Sequence, residues 1–161
     1  MTEKLTLVSS CLAGLPCRYD ARARPDTTVV QAVAAGKAIP ACAEQLGGLP
    51  TPRPPVEIVG GDGHEVLAGT AAVLTVDGDD LTAEFVRGAE LVADIAATNG
   101  ITHAVLQARS PSCGCGTIYD GSHSGALMNG DGVLAAVLKS RGVTVEARRG
   151  ESPQPPVCPT S

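Results

Sequence analysis

Short apolar segments with strand character alternate with amphipathic segments of helical periodicity along most of this chain of 161 residues. The sequence predicts strands over residues 4–9, 37–40, 101–108 and 143–147, and helices over residues 28–35, 83–98 and 132–141. Strands that alternate with helices favour βαβ crossovers, which build a parallel sheet with helices on both faces. We therefore predict one three-layer α/β domain with a mostly parallel, Rossmann-like central sheet and a small hairpin.

The ends of the predicted helices carry residues that start and stop helices. Asp26 or Thr27 can cap the first helix, and Gly36 ends it. Thr82 is predicted to cap the longest helix, and Gly142 ends the last one.

Glycine and proline mark the segments that cannot continue a helix. Residues 46–58 are rich in both and are predicted to form an extended loop. Residues 65–67 and 71–76 are predicted to pair as the hairpin. Residues 1–149 form the predicted domain, and residues 150–161 form a proline-rich flexible tail in which Cys158 is a free thiol.

The composition excludes several classes of function. The formal net charge is −5, and the aromatic residues are two tyrosines and one phenylalanine. A basic surface and base-stacking platforms for nucleic acid are therefore not expected. No apolar run approaches the roughly 18 residues of a membrane span, and the apolar start is too short for a signal peptide. We predict a cytoplasmic protein whose six cysteines are thiols or metal ligands rather than disulfides.

Three cysteines follow predicted strands. Cys11 comes after the first strand, Cys42 after the second, and Cys113 lies in the loop after the strand at 101–108. Ligands of open α/β sheets bind outside the carboxyl ends of the strands, so these three thiols can converge there. We call them the strand-end cysteines and predict that they share a metal or cluster site. The alternative is that each is a small buried apolar residue.

The cysteine spacing bears on which metal such a site would hold. Structural zinc usually takes four ligands from paired Cys-x-x-Cys motifs, and this chain has none. Three thiolates suit a four-iron, four-sulfur cluster whose open iron acts as a Lewis acid, with Cys17 or Cys115 as a possible fourth ligand. A non-catalytic zinc or iron–sulfur protein, or a sulfur-binding protein, remains the alternative.

Six short motifs occur in a characteristic order. They are Ser10-Cys11-Leu12-Ala13-Gly14, Cys17-Arg18-Tyr19-Asp20, Cys42-Ala43-Glu44, Gly47-Gly48-Leu49, Pro52-Arg53-Pro54-Pro55-Val56-Glu57 and Ser110-Pro111-Ser112-Cys113-Gly114. In this combination the chain resembles the DUF523 family, which includes the thiouracil desulfidases, over about residues 7–147. It departs from the family pattern at Ala21, Ala43, Gln107 and His123, and these departures bear on the identity of the substrate.

The resemblance implies an enzyme with an oxygen-sensitive four-iron, four-sulfur cluster held by Cys11, Cys42 and Cys113. It implies that the unique iron binds the sulfur of a thiolated pyrimidine such as 2- or 4-thiouracil. The implied reaction is non-redox: water adds at the thiocarbonyl carbon, sulfide leaves onto the cluster, and the carbonyl product departs.

Side chains beside the implied ligands are the candidates for proton transfer. Glu44, two residues from Cys42, is predicted to be the acid/base. Ser110 and Ser112 flank Cys113 and are predicted to donate hydrogen bonds or relay protons.

Two further residues are predicted to bind the substrate. Arg53 could hold a charged group of the substrate, with an ion pair to Glu57 or Asp20 as the structural alternative. Asp120 could form a wall of the site, with a simple turn as the alternative. His123 is placed near the same pocket.

Overall fold

The computed structural model describes residues 5–149. In chain order the elements are β1 (Thr6–Ser9), α1 (Thr27–Ala34), β2 (Ala38–Ala41), α2 (Ala43–Leu46), β3 (Val56–Val59), α3 (Gly63–Ala68), β4 (Ala72–Thr75), α4 (Thr82–Thr98), β5 (His103–Gln107), β6 (Thr117–Tyr119), β7 (Leu127–Asn129), α5 (Val133–Ser140) and β8 (Thr144–Arg148). The α/β alternation predicted from the sequence is confirmed.

The central sheet has four parallel strands in the order β2-β1-β5-β8. Thr6 to Ser9 pair with Ala38 to Ala41, so β1 and β2 end at the same level. The pairing of β1 with β5 includes Leu7 with Ala104 and Val8 with Val105. All four carboxyl ends therefore lie along one edge of the sheet.

Helices cover both faces of this sheet, as predicted. Successive strand residues point to opposite faces. Leu7 belongs to the main core with apolar residues of α4 and α5, whereas Val8 packs with Val29 of α1. The protein is therefore a three-layer α/β domain with an aliphatic core in which Phe85 is the one aromatic side chain among the buried residues of the described part.

The predicted hairpin is wrong in one of its two strands. Residues 63–68 form α3 instead, because Asp62 and Glu65 make a capping box that satisfies the first backbone N–H groups of a helix. β4 instead pairs antiparallel with β3, and most of β3 lies in the segment 46–58 that was predicted to be an extended loop. A second antiparallel pair, β6 with β7, lies within the long loop expected after β5.

The short helix α2 was not predicted, and two glycines fix its position against α4. A Cβ added at Gly88 would lie 1.8 Å from the backbone oxygen of Ala43, and one at Gly47 would lie 2.1 Å from the backbone oxygen of Glu84. The backbones of α2 and α4 therefore touch directly, and this contact sets the height of α2 above the sheet edge.

The predicted tail and the predicted domain boundary involve residues that the structure does not describe. The proline-rich tail at 150–161 and Cys158 lie outside the described residues, so the domain division stays a prediction. No helix within residues 5–149 is long and apolar enough to cross a membrane.

Candidate active site

The loops that follow β1, β2 and β5 meet around a cavity of about 400 Å³ at the carboxyl edge of the sheet. Cys11 lies in the turn after β1, Cys42 occupies the N-cap of α2 directly after β2, and Cys113 lies in the turn after β5. All three line the cavity. The structure thus brings the strand-end cysteines together.

A fourth thiol joins them. Cys17, which is 5% exposed, lines the same cavity, and its thiol is close enough to those of Cys11 and Cys42 for them to influence its pKa. The Cys42 sulfur also lies 3.9 Å from the backbone oxygen of Cys17. Cys115 is disulfide-bonded, so the prediction that all six cysteines are thiols or metal ligands is wrong at this residue. Its sulfur lies in the core, 3.8 Å from the Val145 oxygen. The sequence offered both Cys17 and Cys115 as a possible fourth ligand, and the structure places only Cys17 at the cavity.

The surroundings of these thiols disfavour their ionised forms. The hydrogen bond to Cys11, followed by burial, raises the pKa of Cys17 to about 12, although Cys42 opposes the rise. The hydrogen bond to Cys17 and burial raise the pKa of Cys42. Burial raises the pKa of Cys113 to about 12, against the hydrogen bond from Ser9. A metal that binds here must therefore displace protons from the thiols.

Glu44 reaches the cavity from the first turn of α2 and is paired with Arg53. Burial raises the pKa of the Glu44 carboxyl, and the Arg53 guanidinium opposes that rise. The Glu44 side chain is 15% exposed, so it can meet a bound molecule while most of it is enclosed. A carboxyl at the cavity wall is placed to exchange a proton with a bound molecule.

Arg53 is buried, and its own chain uses all of its donors. Nε and Nη2 donate to Glu44 Oε2, and Nη2 also donates to the Cys17 backbone oxygen at 3.0 Å. Nη1 donates to Pro50 O at 3.2 Å and to Thr51 Oγ1 at 3.0 Å. A guanidinium has five N–H groups, so none remains for a substrate. The geometry therefore favours a structural role for Arg53, with Glu44 as the ion partner.

The alternative ion partners expected for Arg53 are engaged elsewhere. Asp20 lies 3.9 Å from Arg18, and Glu57 accepts backbone N–H groups from the loop at Gly121 and His123. That expectation was wrong because the path of the loop, and not its composition, decides which carboxylate Arg53 meets.

The two serines of the Ser-Pro-Ser segment both line the cavity but differ in their hydrogen bonding. Ser110 Oγ accepts the backbone N–H groups of Ser112 and Cys113 at 3.0 and 3.1 Å, which shapes the turn that presents Cys113. Ser112 is 2% exposed, and its hydroxyl has no hydrogen-bond partner in the described part of the chain. A buried hydroxyl without a partner costs about 1–3 kcal/mol, which a bound group could relieve.

Asp120 does not reach the cavity. It is exposed, and its carboxylate accepts hydrogen bonds from the backbone and hydroxyl of Ser122, which lower its pKa. The same side of the cavity is instead lined by Glu57 and His123, whose Oε2 and Nδ1 atoms lie 3.9 Å apart. The structure therefore supports the turn interpretation of Asp120.

Four arginines besides Arg53 line the cavity, a feature that the net negative charge of the chain concealed. They are Arg18, Arg24, Arg109 and Arg149, and we call them the cavity arginines. Burial lowers the pKa of Arg149, and the nearby charges of Arg109 and Arg24 lower it further. Mutually repelling cations of this kind favour an anion between them.

Fold and site together define a class: an α/β protein that gathers thiols from three strand ends around a cavity that also contains a buried carboxyl. The model of the 2-thiouracil desulfurase family matches residues 6–149, and the chain belongs to this family. The predicted family membership, and with it the assignment to a class of desulfidase enzymes, is confirmed.

Two relatives span nearly the whole chain. The uncharacterized protein YbbK of Bacillus subtilis (strain 168) is 43% identical over 141 residues, which are 88% of this chain and 93% of YbbK. The solved structure of the 4Fe-4S-dependent thiouracil desulfidase TudS is 41% identical, with a TM-score of 0.79 and coverage of 91% of either chain. The predicted fold class is confirmed by this match.

Proposed function

We propose that this protein removes sulfur from a thiolated pyrimidine without net redox change, using a four-iron, four-sulfur cluster held by Cys11, Cys42 and Cys113. The observation that carries the proposal is the meeting of the strand-end cysteines with Glu44 in one cavity. The 4Fe-4S dependence of TudS, at 41% identity, supports the same assignment.

The donor set fits an iron–sulfur cluster. Soft thiolates from loops are the ligands that such clusters take, and hard oxygen ligands are poor substitutes. The hydroxyl of Ser112 provides a second indication, since it is buried beside Cys113 and no acceptor of the described chain meets it with good hydrogen-bond geometry. A sulfide or a substrate atom in the cavity would supply that acceptor.

The chain's own residues account for positioning and proton transfer. A bound cluster with one open iron supplies a Lewis acid that polarises the C=S bond. Glu44 accepts a proton from the attacking water and returns it to a ring nitrogen or to the departing sulfur. Arg53 holds the Glu44 carboxyl at the cavity wall, and Ser112 donates a hydrogen bond to the ring or to the polarised sulfur.

The cavity arginines indicate the form of the substrate. We expect a thiolated pyrimidine that carries an anionic group, such as a phosphate, because Arg24 and Arg109 line the cavity close enough to Arg149 for their charges to lower its pKa. The ratio of kcat/KM for thiouridine monophosphate to that for thiouracil measures this preference. Arg109→Gln should lower the ratio, and an unchanged ratio would remove the anion from the proposal.

Anaerobic purification followed by iron and sulfide analysis and a thiouracil turnover assay tests the central proposal. We expect a brown protein with about four irons and four acid-labile sulfides per chain that releases sulfide from thiouracil. A loaded cluster without sulfide release from either form of the substrate would refute the catalytic role.

A closed zinc site is the second candidate, and the position of Cys17 is the observation that favours it. Four free thiols line the same cavity, and four thiolates are the ligand set of structural zinc. A zinc protein would be colourless after anaerobic purification, contain about one metal per chain, and show no turnover. The same iron analysis separates the two candidates.

A further inference from the structure

The hydroxyl of Ser9 makes hydrogen bonds with the last residue of β5 and with Cys113. Ser9 is the last residue of β1 and is 3% exposed. Its oxygen accepts the backbone N–H of Gln107 at 2.9 Å, and its proton is donated to the Cys113 sulfur at 3.3 Å. A backbone amide can only donate, so Ser9 must accept from Gln107, which leaves the hydroxyl proton for the sulfur; a Cys113 thiolate has no proton and can only accept it.

The first of these bonds has a purely structural explanation. The paired residues of β1 and β5 end at Val8 and Val105, and the N–H of Gln107 lies just beyond them. The Ser9 side chain satisfies this N–H where the two strands part. Any acceptor of similar size could do the same, so this role explains the oxygen of Ser9 but not where its proton goes.

The proton of Ser9 points at a sulfur that must change state. As a cluster ligand Cys113 would be a thiolate, which is a stronger hydrogen-bond acceptor than a thiol. Water has little access to the donor, because Ser9 is 3% exposed. The bond therefore strengthens when a cluster is bound.

We propose that Ser9 is a positioning residue of the cluster: its hydroxyl donates to the Cys113 thiolate, retains the cluster and raises its reduction potential. The assignment rests on the proposed function, because it requires Cys113 to be a ligand. Partners of metal ligands fix the orientation of those ligands, and their loss typically lowers metal affinity about 10–100-fold. Hydrogen bonds to ligand sulfurs stabilise the more negative, reduced cluster.

The test compares Ser9→Ala and Ser9→Thr with the wild-type protein, all reconstituted anaerobically. Ser9→Ala should lose iron to a chelator at least about 10-fold more readily and shift the reduction potential to a more negative value. Ser9→Thr keeps the hydroxyl and should restore both properties. Ser140→Ala is the control variant, since it removes the hydroxyl of an exposed residue of α5 that donates to Val137 O, away from the cavity. It should leave both properties unchanged.

A measurement on the wild-type protein keeps the test decisive if a Ser9 variant folds poorly. Exchange into D2O should shift the Fe–S(Cys) stretching bands in the resonance Raman spectrum, because the hydroxyl proton is replaced. The assignment would be overturned if the wild-type bands did not move in D2O. It would also be overturned if Ser9→Ala folded and kept the wild-type iron retention and reduction potential. Neither result would affect the proposed function. A wild-type protein that binds no iron would overturn both.

Discussion

Replacement of Arg53 by methionine is the sharpest test of how the site is assembled. The variant keeps much of the apolar bulk of the side chain but leaves Glu44 without its cation and removes all five N–H donors described above. The Arg53 and Glu44 side chains are only 4% and 15% exposed. Removing one member of a buried ion pair costs about 3–5 kcal/mol, because the remaining charge has lost its compensation.

This loss of stability should be visible as a lower melting temperature. A loss of about 3–5 kcal/mol is a large share of the 5–15 kcal/mol that stabilises a typical domain. At about 2–4 °C per kcal/mol for a chain of this size, the melting temperature should fall by roughly 6–20 °C. Arg141→Met is the matched control, because Arg141 pairs with Asp94 on the surface at 2.9 Å. That exposed pair is worth at most about 1 kcal/mol.

The pH dependence distinguishes loss of a charge partner from loss of packing. Burial raises the pKa of Glu44 in the wild-type protein, and removal of Arg53 must raise it further. A carboxyl whose pKa is higher in the folded than in the unfolded state favours folding at low pH, where it is protonated. This contribution is lost as the pH rises through the pKa of the folded state. The deficit of Arg53→Met should therefore be smallest near pH 5 and largest near pH 8.

Urea unfolding of the cluster-free protein with reductant at both pH values measures this deficit. The double variant Arg53→Met/Glu44→Gln should recover part of the lost stability at pH 8, because no buried charge remains. A deficit below about 1 kcal/mol, or an equal deficit at both pH values with no recovery in the double variant, would refute the reasoning.

The remaining predictions address the ligands, the acid/base and the packing of α2. Replacement of any strand-end cysteine by serine should abolish iron loading, whereas Cys17→Ser should still load iron. Loss of iron from Cys17→Ser would indicate four protein ligands. Glu44→Gln should retain iron but lose about 10²-fold or more in kcat for thiouracil, and wild-type turnover would exclude Glu44 as the acid/base. Gly88→Ala should displace α2, since the added Cβ would lie 1.8 Å from the Ala43 oxygen, and so lower stability and turnover together. Ala97→Gly, on the exposed side of α4, should cost about 1 kcal/mol without changing turnover, and an equal effect of both changes would refute a specific contact.

The parts of the fold that the sequence predicted well are those specified locally. The longest helix carries its apolar face within 17 residues, so the prediction for residues 83–98 agrees with the structure to one residue. Its N-cap is Leu81, and the predicted cap Thr82 is the first residue of the helix. The strand β3 was missed because its pairing with β4 is a tertiary contact, and because prolines dominate the residues before it. The helix α3 did have a local signal, the Asp62-x-x-Glu65 capping box, which was outweighed by the surrounding glycines.

The site shows the same division. The strand-end cysteines could be predicted to converge because parallel strands bring their carboxyl ends to one edge, wherever the loops run. The contacts of Cys17 could not, because they depend on the irregular course of residues 10–26. The cavity arginines come from three separate segments, so their proximity had no signal in any one of them.

One buried guanidinium connects the two halves of the proposed chemistry. Arg53 binds the Glu44 carboxylate on one side and the backbone oxygen of Cys17 on the other. The same Cys17 oxygen lies 3.9 Å from the Cys42 sulfur, so the proposed acid/base and a proposed ligand are oriented by a common set of hydrogen bonds. Because Cys42 and Glu44 also lie within one turn at the start of α2, movement of this helix shifts both groups together. Loss of Arg53 should therefore reduce iron retention as well as turnover, although Arg53 itself has no donor left for either the metal or the substrate.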